Sequence, residues 1–204
     1  MISRVFQSAS AMRGLAAAMA LGASLTWVTA GAIAAPMKQK VDDGHTSVHF
    51  MIFHGGFSKV MGEFRKVDVT EFVFDPEDVS NSKVSATIDA ASLDSNHYFR
   101  DNYTRSETFL NVIKNPTITF VSTKVWKTGD HTGKMTGDLT LRGVTKPVTF
   151  DITYNKGGKH LSGKYSIDGF TATGKINRSD FDMKAFLPWV ADEVEIVMQL
   201  EAWR

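Results

Sequence analysis

Between residues 135 and 154 apolar and polar residues alternate in two runs. Met135, Gly137, Leu139 and Leu141 fall on one side of the first run, and Thr136, Asp138, Thr140 and Arg142 on the other. In the second run Val148, Phe150, Ile152 and Tyr154 alternate with Thr149, Asp151 and Thr153. A period of two is that of a strand with one dry face and one wet face. Residues 143–147 between the runs contain Gly143 and Pro147 and have the composition of a loop. The stretch predicts an antiparallel hairpin against which the other strands can be set.

The same periodicity recurs along the chain. Residues 38–41 form a short candidate strand, and Asp42-Asp43-Gly44 a turn. Residues 45–53 read as a strand with Thr46, Val48, Phe50 and Ile52 on one face. Gly55-Gly56 breaks it, and residues 57–62 are ambiguous, compatible with one helical turn. Residues 63–75 carry Phe64, Val67, Val69, Phe72 and Phe74, whose parity shifts between Val69 and Phe72. Such a shift predicts a bulge or a strong bend. Val84, Ala86, Ile88 and Ala90 make the next dry face. Residues 92–113 lack strand alternation. They predict two short helices capped by Ser95 or Asn96 and ended at Asn115-Pro116. Strand resumes over 117–126 with Ile118 and Phe120 on one face. Residues 160–177 alternate with interruptions at Gly163, Gly169 and Gly174. Residues 178–183 and Leu187-Pro188-Trp189 read as structured loops. Val194, Ile196, Met198, Leu200 and Ala202 close the chain as a strand.

About eight strands joined by short loops give an antiparallel all-β fold with one short helical segment around 96–112. Periodicity alone allows a sandwich or a barrel. An eight-stranded barrel has an interior that side chains fill or that holds one small ligand.

The first segment stands apart from this pattern. Arg4 and Arg13 lie in a polar stretch without acids, residues 14–34 are apolar and rich in Ala, and Ala32-Ile33-Ala34 fits a signal-peptidase site. The expectation is a cleaved secretory leader over 1–34 and one domain over 35–204, placing the protein in the periplasm. Without Arg4 and Arg13, 21 of the 23 basic residues remain against 22 acidic ones. That balance, with no basic stripe, argues against nucleic acid as a partner. Cys is absent, so stability must come from a core and not from disulfides.

Candidate chemistry is sparse. His45 and His49 would share a strand face about 13 Å apart, too far to hold one ion, and His54 faces the other way. No metal site is expected. No Gly-x-Ser-x-Gly elbow occurs, so no enzyme is predicted. Arg178 and Asp180 could bridge to fix a loop, or Arg178 could meet a polar head group; Arg100 offers the same choice. Fourteen Phe and nine Met are the strongest signal. They suit either a packed core or the wall of an apolar tunnel.

Several motifs occur together and in order: His45-Thr-Ser-Val48, Phe57-Ser-Lys-Val-Met-Gly-Glu-Phe64, Ile88-Asp-Ala-Ala-Ser-Leu93, Asn115-Pro-Thr-Ile-Thr-Phe120, Gly137-Asp-Leu-Thr-Leu-Arg-Gly-Val-Thr-Lys-Pro-Val148, Ile176-Asn-Arg-Ser-Asp-Phe181 and Asp192-Glu-Val-Glu-Ile196. In these the chain resembles the YceI-like family of periplasmic, polyisoprenoid-binding proteins. The resemblance implies a lipocalin-like, eight-stranded antiparallel barrel whose tunnel sequesters or transports an isoprenoid lipid, a polyprenyl chain or a quinone, with no other cofactor. A plugged barrel of structural role, or an enzyme on a lipid-like substrate, are the alternatives. The tunnel wall would be drawn from Phe50, Ile52, Phe64, Val69, Phe72, Phe74, Ile88 and Phe120, and from Leu139, Leu141, Phe150, Ile152, Phe170, Ile196 and Met198. Arg178 and Arg100 are the head-group candidates. A carrier of this kind would touch a membrane transiently, and a homodimer is left open. The family usually has Gly after Asn-Arg-x-Asp-Phe, where this chain has Asp182.

Overall fold

The computed structural model describes residues 36–204, so the leader expected over 1–34 lies outside the described residues. In chain order the strands are β1 (Met37–Lys38), β2 (Lys40–Val41), β3 (Ser47–His54), β4 (Ser58–Phe64), β5 (Val67–Phe74), β6 (Lys83–Asp89) and β7 (Leu93–Asp94). Helix α1 (Tyr98–Arg105) follows, then β8 (Thr117–Lys127), β9 (Thr132–Leu141), β10 (Val144–Lys159), β11 (Ser166–Asn177) and β12 (Val190–Trp203). All belong to one antiparallel sheet in the order β1-β5-β6-β8-β9-β10-β11-β12-β3-β4-β7, with β2 also on β12. The sheet curls into a half-barrel around an apolar interior. Nine of the strands are seven residues or longer.

The expected hairpin is formed by β9 and β10, with Met135 opposite Phe150 and Leu139 opposite Lys146. Its connection is tighter than the composition suggested. Leu141 pairs with Val144, so only Arg142 and Gly143 turn, both at positive φ (53° and 76°). Such a two-residue turn matches the right-handed twist of the strands it joins. Arg142 is held there by donating to the carbonyls of Asp182 and Glu107. Pro147 is tolerated inside β10 because β10 pairs with β11 only from Asp151 onward.

Other elements correct the sequence reading. Residues 57–62 are not a helical turn: Phe57 ends the β3–β4 turn and 58–62 are most of β4, paired with β3 from His54–Ser58 to Val48–Phe64. The run expected over 63–75 breaks after Phe64, and β5 begins at Val67. Its parity shift is a bulge, as expected, with Thr70 squeezed between the Val69–Ala86 and Glu71–Ser85 pairs. His45 lies in a short 3-10 turn (Asp43–His45) and not in β3. Helix α1 is the one α-helix among the described residues, and residues 106–114 are hydrogen-bonded turns. Its cap is His97, whose Nδ1 accepts from the Arg100 amide at 3.3 Å. Ser95 instead donates to the buried Asp101 carboxylate.

The first strand splits at Gln39. Met37 pairs with Phe74 on β5, whereas Lys40 pairs with Trp203 on β12. The segment 37–41 therefore straps one end of the curled sheet. The tightest packing lies near the other end, where Leu93, Leu110, Ile118, Leu141, Phe181 and Met183 are buried together.

Candidate functional site: a hollow apolar interior

Three phenylalanines explain why the sheet encloses space. Phe50 is directly opposite Gly62 on β4, and Phe150, just before the stretch of β10 that pairs with β11, packs against Gly174 of β11. A Cβ on Gly62 would sit 2.8 Å from Phe50 Cε1, and one on Gly174 would sit 2.5 Å from Phe150 Cδ1. Phe120 covers Gly137 in the same way, with Cε2 2.6 Å from a Cβ built there. Each ring thus lies down over a bare patch of neighbouring strand instead of reaching across the interior. Glycine in a strand is a mark of such close approach.

The result is a cavity of about 1000 Å³, within the span of pockets that enclose most of a small ligand. All fifteen residues expected on a tunnel wall line it: Phe50, Ile52, Phe64, Val69, Phe72, Phe74, Ile88, Phe120, Leu139, Leu141, Phe150, Ile152, Phe170, Ile196 and Met198. Many of them point inward yet keep accessible surface, Phe50, Phe64, Ile88 and Met198 among them, because open space and not another side chain lies in front of them. Along β3 the wall runs from Thr46 to His54, about 26 Å at the rise of a strand.

At the strapped end Phe72, Phe74, Tyr154 and Phe170 form an aromatic cluster with ring centroids 5.0 to 5.5 Å apart. Behind it Asp168, 1% exposed, accepts from the Tyr154 hydroxyl and the Gln39 amide, both at 2.9 Å. Arg204 Nε lies 2.9 Å from the same carboxylate. Burial, with the bond to Asp168 second, pushes the Tyr154 phenol up to about 12. The outer part of this end is lined by polar residues, including Lys127, Asp130 and His131.

The other end is apolar. Tyr103 from α1, Phe109 from the turns after it, and Phe186 and Trp189 from the loop before β12 all line the cavity. Tyr103, Phe109 and Phe186 touch one another at 5.7 to 6.1 Å between centroids. These residues lie outside any alternating run, so periodicity did not find them. Their aromatic character outside the strands, beside Pro188 for Phe186 and Trp189, was the available signal.

Both head-group candidates border the cavity, but differently. Arg178 is 2% exposed and donates from Nε to Ala191 O, from Nη1 to Met183 O and from Nη2 to Val190 O, at 2.6 to 2.9 Å. It fixes the loop through backbone carbonyls, not through the expected bridge to Asp180. The nearby carboxylate is Asp192, which takes the Ser179 amide and hydroxyl. Burial lowers the pKa of Arg178, and Asp192 opposes that shift. Arg100 is half-buried and donates to the hydroxyl and carbonyl of Ser95. Asp182 adopts the left-handed conformation (φ 59°, ψ 26°) that a glycine accepts most readily.

The histidines do not converge with one another. His45 joins Asp42 and Glu201, whose ligand atoms lie within 4.8 Å of one another. The spacing of the histidines could not show this, because Glu201 comes from β12. Asp42 already caps the turn by accepting from Gly44 N at 3.0 Å and holding His45 Nδ1 at 2.9 Å. The latter bond raises the His45 pKa and lowers that of Asp42.

The YceI-like domain matches residues 39–202, nearly the whole of the curled sheet. The chain belongs to the YceI-like family. It is 43% identical over 180 residues to Protein YceI of Salmonella arizonae, covering 88% of this chain and 92% of that protein. Among solved structures, Burkholderia cenocepacia BcnA superposes with a TM-score of 0.73 at 26% identity, over 80% of this chain and 99% of that one. A polyisoprenoid binding domain from Saccharophagus degradans, implicated in plant cell wall breakdown, shares the fold. Its TM-score is 0.56 at 11% identity, over 81% of this chain and 96% of that domain. Family and fold agree in making this chain a YceI-like half-barrel.

Proposed function

We propose that the protein binds the hydrocarbon tail of an isoprenoid lipid, a polyprenyl chain or a quinone, inside the tunnel and sequesters or carries it in the periplasm. The hollow, almost wholly apolar cavity carries this reading. An apolar wall grips by area and not by direction, at about 25 cal/mol per Å² before entropic costs. A branched chain of variable length suits such a wall, and Met198 and Met183 add side chains that adapt. The same geometry supports binding rather than catalysis, because it offers contact area and little polar chemistry. The periplasmic location rests on the leader expected from the sequence of residues 1–34.

Arg100 is the better head-group residue. All three Arg178 nitrogens already serve backbone carbonyls, whereas Arg100 Nη1 has no hydrogen-bond partner among the described residues. The test is to recover the protein from cells, extract it and identify bound lipid by mass spectrometry, then to titrate the delipidated protein with polyprenols and quinones. Co-purified isoprenoid and saturable uptake are expected. A protein that emerges empty and takes up neither class would refute the proposal.

A further inference from the structure

We infer that the aromatic rim around the apolar end docks on a lipid bilayer, so that cargo passes between membrane and tunnel without crossing water. This rests on the lipid-carrying reading. Six large apolar side chains stand in three neighbouring segments: Phe57 in the β3–β4 turn, Phe99 and Tyr103 on α1, and Phe186, Leu187 and Trp189 before β12. They are 37% to 82% exposed. Surface apolar groups are ordinary singly, but a cluster of this size marks an interaction surface.

The segments are joined. Trp189 lies 6.0 Å from the Phe57 ring, and its carbonyl accepts from Gly55 N at 2.7 Å. Phe186 lies 5.9 Å from the Tyr103 ring. Phe99 and Tyr103 are four residues apart and share one face of α1.

Continuity with the tunnel decides the occupant. Tyr103, Phe186 and Trp189 are exposed and line the cavity as well, so an apolar path leads from the lumen to the outside. The other end is crossed by the 37–41 strap and edged with charged and polar groups. A water-insoluble chain therefore leaves through the aromatic end, and its source and sink is a bilayer. Tyr and Trp prefer the membrane–water interface. Of the basic groups within two residues of the rim, Lys59 and Lys184 are paired with Glu195 and Asp182, and Arg100 and Arg105 donate to the carbonyls of Ser95 and Leu93. The contact thus draws on apolar insertion and needs no anionic lipid. A second copy seated on the rim would instead close the exit.

The experiment compares the purified protein with a Phe57→Ser/Phe99→Ser variant, neither residue lining the tunnel. Both are floated with phosphatidylcholine vesicles, and both are titrated in solution with a fluorescent farnesyl analogue. Wild type should float, the variant should partition at least about tenfold less, and the two should take up the analogue equally. Thermal unfolding checks the fold, and Phe99→Ser alone replaces the double variant should that unfold. Equal flotation of both proteins, or flotation of neither, overturns the inference. A wild-type dimer that the variant breaks, without vesicle binding, overturns it too and gives the rim to a second copy. Absence of analogue uptake in the wild type refutes the carrier reading, whereas the flotation contrast judges the docking face.

Discussion

Phe50 packs against Gly62, its directly paired residue on the neighbouring strand, with no room for a methyl group between them. The hollow of this half-barrel depends on such contacts. Gly62→Ala should drive the ring into the tunnel, lower uptake of long isoprenoids and cost about 1–3 kcal/mol from overpacking. Adding Phe50→Leu should restore most of the capacity. The Asp94 carbonyl, 3.0 Å from the new Cβ, keeps the rescue of stability partial. Unchanged uptake in Gly62→Ala would show that the tunnel is not shaped this way.

Tyr154 makes stability depend on alkaline pH. Its phenol is raised from 10.0 to about 12, so the folded chain holds this proton more tightly than the unfolded chain. Below pH 10 the phenol is neutral in both states and its contribution is fully present. Stability should then fall between pH 10 and about 12. Tyr154→Phe should remove that part of the decline in denaturant melts recorded across the range.

Asp168 anchors both chain ends described here, Gln39 on the strap and Arg204 beyond β12. Asp168→Ala would strand the Gln39 amide and the Tyr154 hydroxyl without their acceptor. A loss of about 3–5 kcal/mol is expected, a fall of roughly 10 °C in Tm for a chain of this size. Amide exchange should rise at residues 37–41 before it rises in β3. Uniform loosening of the whole sheet would contradict the strap's dependence on this carboxylate.

The two arginines should separate stability from affinity. Arg178→Met removes donors from three carbonyls and should cost about 3 kcal/mol or more. Arg100→Gln, at a half-buried site, should cost under about 1 kcal/mol while weakening binding of polyprenyl phosphate more than of the bare prenol. Calorimetric titration of both ligands checks the contrast, and an equal effect on the two would remove Arg100 as the head-group contact.

Alternation along the chain was enough to place most of the strands, the β9–β10 hairpin, the Thr70 bulge and the inward row of apolar residues. A strand's two faces are a local property of a period-two backbone. What the inward faces meet is not local. The same Phe50, Phe120 and Phe150 could have filled a core; they line a cavity because Gly62, Gly137 and Gly174 stand on neighbouring strands in the right register. Likewise the strap at Gln39 and the meeting of Tyr103 with Phe186 arise between residues far apart in sequence. Only the curling of the sheet brings them together. One chain's pattern specifies which side is dry, and three-dimensional register decides whether that side is filled or hollow.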